Sequence, residues 1–565
     1  MSLPRVPISA SQGRRAVQAV IASKEIRVKT ASFTHLQVHS HYTLLGGTAS
    51  VVELAQRAAS DGLTHLALTD TNALYGAVAF TRACQEAGVQ PITGMTVTVA
   101  LPGDLDVHIP DGPLPGCLVL LATGPAGYRS LCRLSSLIQG DPDRKVRAAR
   151  GVALEDLSAH REGLLCLGGG RMGWGERLLR GGDARSARRY ITRLAAIYGE
   201  ENVYLSLELH RPEDLAVARE VEALARSLGL PTVAVQPVYC LSPRDVPRLK
   251  LLAAINLNCP LEAVPAAALL DGGDPDVALH WLGPQEMVER YAAFPEALAQ
   301  AGEVAIRCEP ALPDGRTIWP AIDLPEGQTA DEALVELARA GLVERYGPAP
   351  EPGVRERLER ELAAINRYGY APLFLIVADI VRFARQADVP VSTRGSVANS
   401  LVAYCTRITT VDPIAHDLLF ERFLSPARAD VPDIDLDFCS RRRDEVLEYV
   451  RHKYGEERVS LVATVSTMRT RSAVRETAKA YGLSEERIKR LVARLPRRWR
   501  RAPGQRGTGT VEEALAAARS AEEGGIDDGV LEEVIREAFA IKGQPHHLSV
   551  HPGGVVITPG YFTGL

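Results

Sequence analysis

No Cys-x-x-Cys pair occurs among the nine cysteines, and their odd number and scatter exclude a disulfide framework or a zinc ribbon. Reduced thiols in a cytoplasmic protein are the expectation. No apolar run approaches the roughly 20 residues of a membrane span. Residues 1–30 are basic and rich in Ser and Ala, without the apolar centre of a signal peptide. They read as a flexible extension or a misassigned start, with a transit peptide kept open. The net charge is only −4, so the chain as a whole is no polyelectrolyte binder. What is present is 46% hydrophobic residues over 565 positions, ample for buried cores in roughly two to four domains.

Charge is unevenly placed. Between Arg469 and Arg506 there are 13 Lys and Arg against Glu476, Glu485 and Glu486, a local balance of +10 that leaves −14 for the rest. Most charge runs are solvated helix faces. This one includes RRWRR (497–501), where a solvating face would not need Trp499. Arg497, Arg498, Arg500 and Arg501 are therefore candidate phosphate contacts to DNA.

Residues 432–438 read PDIDLDF. The alternation has the period of a strand, with Ile434, Leu436 and Phe438 on one face and Asp433, Asp435 and Asp437 on the other. Same-face neighbours sit roughly 6.5–7 Å apart at Cα, so their carboxylates can lean together onto divalent metals. Two metals about 3.5–4 Å apart are the usual clamp for in-line phosphoryl transfer. A solvated edge strand is the other reading. A calcium loop fits poorly, because its turn needs Gly at the sixth position and Phe438 stands there.

Upstream lies STRGSVANS (392–400), followed by the apolar run Leu401–Cys405. Arg394, Gly395 and Ser396 combine a guanidinium fork, a backbone without Cβ and a hydroxyl before an expected helix start. Such a start offers backbone N–H groups to an anion, and Arg suits a triphosphate. A basic loop and an acidic strand together imply an anionic, metal-bound nucleotide.

STRGSVANSLVAY and DLLFERFLSPARADVPDIDLDFC (417–439) resemble the palm of bacterial C-family DNA polymerases, the family of the replicative polymerase III α subunit and its error-prone relatives. HHLSVHPGGVVIT (546–558) is similar to the family's His-x-Gly-Gly palm segment. HLQVHSHYTLLGGTAS (35–50), ALTDTNALYGAVAF (67–80) and LLATGPAGYRSL (120–131) resemble its N-terminal PHP (polymerase and histidinol phosphatase) domain. The resemblance runs from about Phe33 to the end. Within the family, PDIDLDF and ATVSTMRTRSAVRE (463–476) lie nearer the error-prone branch.

The resemblance implies an α/β multidomain chain: a PHP-type distorted (β/α) barrel, then a nucleotidyltransferase palm of the polymerase β type and a helical thumb. The expected plan is an extension at 1–30, PHP at 31–300, palm at 301–465, thumb at 466–545 and a palm return at 546–565. The implied reaction is DNA-templated addition of deoxynucleotides to a primer 3′-hydroxyl. Asp433 and Asp435 would hold two Mg²⁺, with Asp437 as a supporting ligand, and Arg394, Gly395, Ser396 and Arg422 would hold the triphosphate. For Arg422 an ion pair with Glu421 or Asp417 is the alternative. His551 either satisfies backbone groups or acts near the primer or nucleotide.

In the PHP region His39, His41, Asp70 and His210 match metal ligands of the family. Thr71, Thr96, Cys117, Gly170, Pro237 and Tyr239 stand where it has other donors. A trinuclear cluster needs roughly nine donors with an oriented outer shell. A degenerate site without its metal cluster is expected, with one metal on His39, His41 and His210 kept open. The sequence stops at Leu565, before the family's third carboxylate, fingers and clamp-binding modules. The expectation is a fragment or one half of a split polymerase, with sliding-clamp, replisome or repair contacts in the missing parts. Two other readings stand beside it: a PHP-type metallo-phosphoesterase or exonuclease, and a non-catalytic DNA-binding remnant.

Alternating short apolar runs and amphipathic stretches from about 33 to 300 predict strands at 64–69, 91–100, 117–122, 163–168, 202–209 and 231–236, in a parallel sheet or barrel. A helical stretch at 218–229 closes on Gly229. Beyond 300, helices are expected at 328–342, with Thr329 and Glu332 as a capping box and apolar residues at 333, 334, 337, 338, 341 and 342, at 356–369, and at 442–455 with Gly455 after its last turn; in the thumb they are expected at 472–482, 484–495 and 512–525.

The basic run generates a prediction. If roughly three to five of its charges touch duplex phosphates, log affinity for DNA falls against log salt with a slope near −3 to −4. Replacing Arg497, Arg498, Arg500 and Arg501 with Ala flattens that slope and weakens all DNA sequences alike. Unchanged affinity and slope in a salt titration would return the run to a solvated face.

Overall fold

The computed structural model describes residues 33–105, 115–424, 433–495, 511–519 and 528–560. The extension at 1–30, the RRWRR cluster and the end of the expected palm return lie outside these residues. The described residues fall into two compact units, one within Met1–Asp314 and Val465–Ser549, the other within Gly315–Thr464 and Val550–Leu565.

The first unit is built on a six-stranded sheet: β1 (His65–Leu68), β2 (Gln90–Val99), β3 (Gly116–Ala122), β4 (Leu164–Leu167), β5 (Val203–Leu207) and β6 (Thr232–Ala234), in that spatial order. All six expected strands are present. Strands β4 and β5 are buried throughout, as strands covered on both faces should be. The sheet curls until residues 35–39 lie between its ends. Thr69 N–H donates to the Val38 carbonyl at 2.7 Å beside β1, and His39 N–H to the Val238 carbonyl at 2.8 Å after β6.

The sheet is not wholly parallel, which corrects the sequence expectation. β1–β2, β4–β5 and β5–β6 are parallel, whereas β2–β3 and β3–β4 are antiparallel. β2 ends at Val99 opposite Gly116, where β3 begins, so the chain returns directly alongside it. For β3–β4 the reason lies in the connection between them. The chain leaves β3 at Ala122, which pairs with Leu164 at the start of β4. It reaches the opposite end at Val152, which bridges Val99, and then returns to Leu164. Two passes replace the single helical crossover that makes neighbouring strands parallel.

The expected thumb helices appear at Thr470–Ala480, Glu485–Arg494 and Val511–Arg519, with a further one at Asp528–Ala540. Val474, Ile488, Leu491, Leu531 and Ile535 share a core with Leu251, Leu252 and Ile255 of the helix Val246–Leu257. Arg248 and Glu537 form an ion pair at 2.7 Å across that core's margin.

The second unit is mainly helical: Ala330–Tyr346, Pro352–Arg367, Ala371–Gln386, Leu401–Cys405 and Arg443–Tyr454 surround the short antiparallel pair β7 (Val391–Arg394) and β8 (Asp435–Phe438). Thr329 and Glu332 form the expected capping box. Leu334, Ala338, Gly341 and Leu342 make the buried stripe of that helix, but Leu337, expected in it, is exposed. At 100° per residue it falls at the stripe's edge, and Val335 packs at the other margin. Gly341 is required by packing, since a Cβ there would collide with the Cys405 carbonyl. β9 (Val459–Thr467) and β10 (Pro545–Ile557) pair in a separate two-stranded sheet. Among the described residues no single helix is long and apolar enough to cross a membrane; the pair Pro352–Arg367 and Ala371–Gln386 reaches that composition together but bends by 113°.

Asp379 ties two helices of this unit. It accepts from Lys453 Nζ at 2.7 Å, Tyr449 Oη at 2.8 Å and Tyr454 Oη at 3.3 Å, and pairs with Arg382. Burial pushes its carboxyl up, but Lys453 and Tyr449 prevail and hold it below the usual Asp value. Its stabilisation is therefore complete above an ordinary Asp pKa of about 3.9 and is lost as pH falls through the lowered value. Asp379→Asn should cost on the order of 2 kcal/mol at pH 7. In urea titrations that gap should narrow below about pH 4.

Candidate active site

The alternation in PDIDLDF is realised on β8. Ile434 and Leu436 pack on the second unit's main core and Phe438 on a smaller cluster, while Asp433, Asp435 and Asp437 are exposed. β7 is antiparallel to it, with Arg394 opposite Asp435 and Ser392 opposite Asp437. Ser392 and Arg394 are exposed too, so one sheet face carries three carboxylates, a hydroxyl and a guanidinium. Arg394 reaches diagonally to Asp437 at 3.0 Å. That neutralises Asp437 and leaves Asp433 and Asp435 as the carboxylates without a cationic partner among the described residues.

The loop after β7 brings its glycine to the same face. Gly395 has φ +86°, a conformation that favours glycine, and a Cβ there would lie 4.0 Å from Asp435 Oδ2. Ser396 opens the 3₁₀ turn Ser396–Asn399. The N–H groups of Ser396 and Val397 have no helical partner at such a start and find no acceptor among the described residues. The expected helix start at Leu401 is used differently. Its N–H donates to Glu361 Oε2 at 2.7 Å, Val402 N–H donates there at 3.2 Å, and Ser400 Oγ at 3.0 Å. The backbone donors available to an anion therefore belong to the turn after Gly395, not to that helix.

Glu361 is wholly buried and pairs with Arg357 Nε at 2.9 Å. Burial raises its carboxyl above the usual range despite Arg357 and the amides. Arg357 also donates to the carbonyls of Asn399 at 2.9 Å and Leu418 at 2.7 Å. Sequence reading missed this pair. Its signal is spacing: Leu358, Leu362 and Ile365 are buried, and Glu361 stands on that same stripe. An acid on an apolar stripe demands a partner.

Arg422 is exposed at the end of the turn Phe420–Arg422, whose Phe420 is buried in the core, and among the described residues it forms no ion pair with Glu421 or Asp417. His551 Nδ1 accepts from the N–H groups of Gly553 at 3.2 Å and Gly554 at 2.6 Å. This is the backbone-satisfying role. It puts the neutral ring's proton on Nε2, leaving an exposed donor.

In the first unit the matched ligands go to separate partners. His39 is buried and stacked on Tyr239, centroids 4.0 Å apart. Its nitrogens face the hydroxyls of Thr43, Thr71 and Thr96 at 3.3–3.5 Å, and burial pushes its pKa down to about 3. Asp70 accepts from Ser40 N–H at 2.7 Å and from the Ser40 and Thr43 hydroxyls; burial nevertheless raises it to about 6. His41 lines a cavity of about 350 Å³ with Glu53, Asp245, Arg248 and Lys542. His210 Nε2 contacts Glu208 at 2.6 Å while Nδ1 accepts from Ala278 N–H at 3.1 Å, so neither nitrogen offers a lone pair to a metal. Arg171 and Arg180 pair with the buried Asp214 beside it.

Among the described residues no three His, Cys, Asp or Glu side chains form a metal-binding group. Mg²⁺ asks for less. It keeps several waters and takes one or two carboxylates plus substrate phosphates, and Asp433 with Asp435 on one exposed face fits that donor set. The first unit offers no comparable pair of unpartnered donors at His39, Asp70 or His210.

The description "Bacterial DNA polymerase III alpha NTPase domain" matches residues 332–564, which include the whole β7–β8 face and its loop. "PHP domain" matches residues 35–210. The DNA polymerase III subunit alpha of Bacillus subtilis (strain 168) is 35% identical over 93% of this chain and 45% of its own length. The error-prone DNA polymerase of Symbiobacterium thermophilum is 36% identical over 93% and 47%. The DNA polymerase III subunit alpha of Escherichia coli (strain K12) is 34% identical over 94% and 45%. Relatives of both names thus match at nearly equal identity, and the chain spans about half the length of the curated relatives it matches. With both matched regions in one chain, and 34–36% identity over 93–94% of it to relatives of both names, the chain belongs to the family of bacterial DNA polymerase III alpha subunits and error-prone DNA polymerases.

Proposed function

We propose that the chain carries the nucleotide-handling part of a DNA-directed DNA polymerase that adds deoxynucleoside triphosphates to a primer on a DNA template. The observation that carries this reading is the juxtaposition of Arg394 and Gly395 with Asp435 on one exposed face. A triphosphate held there meets a guanidinium and the N–H groups of Ser396 and Val397, which have no acceptor among the described residues, on one side, and two carboxylates on the other. Arg422 is a second cation for the phosphates. When bound, Mg²⁺ on Asp433 and Asp435 supplies Lewis-acid stabilisation to the attacking and leaving oxygens. Asp437 restrains Arg394 rather than binding metal. The basic run through Arg497–Arg501 grips the duplex, and a sliding clamp and replisome or repair proteins are the expected further partners. A polymerase of this kind works in the cytoplasm.

In an extension-competent polymerase carrying this chain, Asp433→Asn or Asp435→Asn should lower the primer-extension rate by about 10³ or more, as loss of a ligand at a two-metal site removes several kcal/mol of transition-state stabilisation. Folding and primer–template affinity should hold. A tenfold loss or less would remove these aspartates from the chemistry.

The PHP region, on this reading, is a structural domain. The hydroxyl cage of His39, the bonded Asp70 and the fully engaged His210 support it. The purified chain should carry no stoichiometric metal cluster there and hydrolyse no phosphoester or DNA 3′ end. Two or more tightly bound zinc or manganese ions by elemental analysis, persisting in an Asp433→Asn/Asp435→Asn variant, would support a metallo-phosphoesterase instead.

A further inference from the structure

The two candidate phosphate-gripping segments are far apart in sequence but share one anchor. The loop from Arg394 runs into Asn399 and Ser400; the other segment runs from Leu418 to Arg422. Arg357 holds the Asn399 carbonyl at 2.9 Å and the Leu418 carbonyl at 2.7 Å through a single nitrogen, Nη2. Its Nε is held by Glu361 Oε1 at 2.9 Å. The other Glu361 oxygen takes the Ser400 hydroxyl and the N–H groups of Leu401 and Val402. Both side chains come from one turn of the helix Pro352–Arg367. We infer that Arg357 and Glu361 are positioning residues which set the spacing of the Arg394–Ser396 loop and the Arg422 turn, so that both cations meet the same triphosphate.

This rests on the nucleotide reading above. Three features carry it beyond general stability. Among the described residues every side-chain hydrogen bond of the pair outside itself goes to the two segments in question, Ser400–Val402 being the continuation of the first. Glu361 has no exposed surface, so it cannot touch the ligand directly, and Arg357 has little, with Nε and Nη2 both engaged inside the fold. Lysine, with a point charge instead of a planar fork, cannot hold Glu361 and two carbonyls in the same geometry. Displacement of a gripping group by about 1 Å can cost on the order of a hundredfold.

The test uses the whole chain and dATP with Mg²⁺ in equilibrium dialysis, at a temperature where circular dichroism shows each variant fully folded. Folded fraction then cannot change affinity. Arg357→Lys keeps the charge opposite Glu361, and Glu361→Gln keeps the shape, so one can serve if the other fails to fold. The control is Glu359→Gln, which breaks the solvent-exposed pair with Arg339 on the same helix. The expected result is at least tenfold weaker dATP binding for Arg357→Lys and Glu361→Gln, with Glu359→Gln unchanged. Wild-type binding matched within twofold by both variants would overturn the positioning role and leave the nucleotide reading standing. A wild-type chain that does not bind dATP with Mg²⁺ would overturn both.

Discussion

The buried ion pair between Arg357 and Glu361 is the constraint on which the second unit's site depends. Between the end of β7 and the helix Leu401–Cys405 the backbone turns sharply, and its amides and carbonyls cannot all join a ladder or helix. Backbone groups left without water must find partners. Glu361 takes two amides and a hydroxyl, and Arg357 takes two carbonyls. Desolvating two charges is costly, and a well-packed apolar pair often does as well. Here an apolar pair would leave those five groups unsatisfied. The Ser396 and Val397 amides, by contrast, find no acceptor among the described residues.

Electrostatics divides the exposed face. Arg394 lies opposite Asp435 in register yet pairs with Asp437. Of three aspartates at equal spacing, one becomes a partner for the arginine and two have no cationic partner among the described residues. A strand with three equivalent carboxylates thus acquires distinct surroundings through one side-chain contact. The glycine beside it brings the backbone close to Asp435 in a conformation that a side chain would strain.

The first unit reaches the opposite outcome from a comparable start. Its curled sheet brings His39, Asp70 and His210 into buried or partly buried surroundings, where polar groups must be satisfied. Threonine hydroxyls, the Tyr239 ring, the Ser40 amide, Glu208 and the Ala278 amide do so. At His39, Asp70 and His210 the polar groups are partnered within the fold, and burial holds His39 neutral.

Much of this was legible in the sequence where the physics is local. The period of PDIDLDF, the capping box at Thr329, the stops at Gly229 and Gly455, and all six strands of the first unit depend on residues a few positions apart. They needed no knowledge of the fold. The antiparallel turn of the sheet at β3, the diversion of Asp437 to Arg394, the engagement of His210 at both nitrogens and the bonds of Glu361 to Ser400–Val402 were decided elsewhere. The β3–β4 pairing, the Arg394–Asp437 pair, the bond from Ala278 to His210 and the bonds of Glu361 each join residues about forty or more positions apart, and no spacing rule reaches that far. The sequence by itself determined which residue types stand on which face. Only the tertiary structure decided which of them are spent on one another and which stay open, because a charge or an amide is satisfied by whatever the fold brings within about 3 Å.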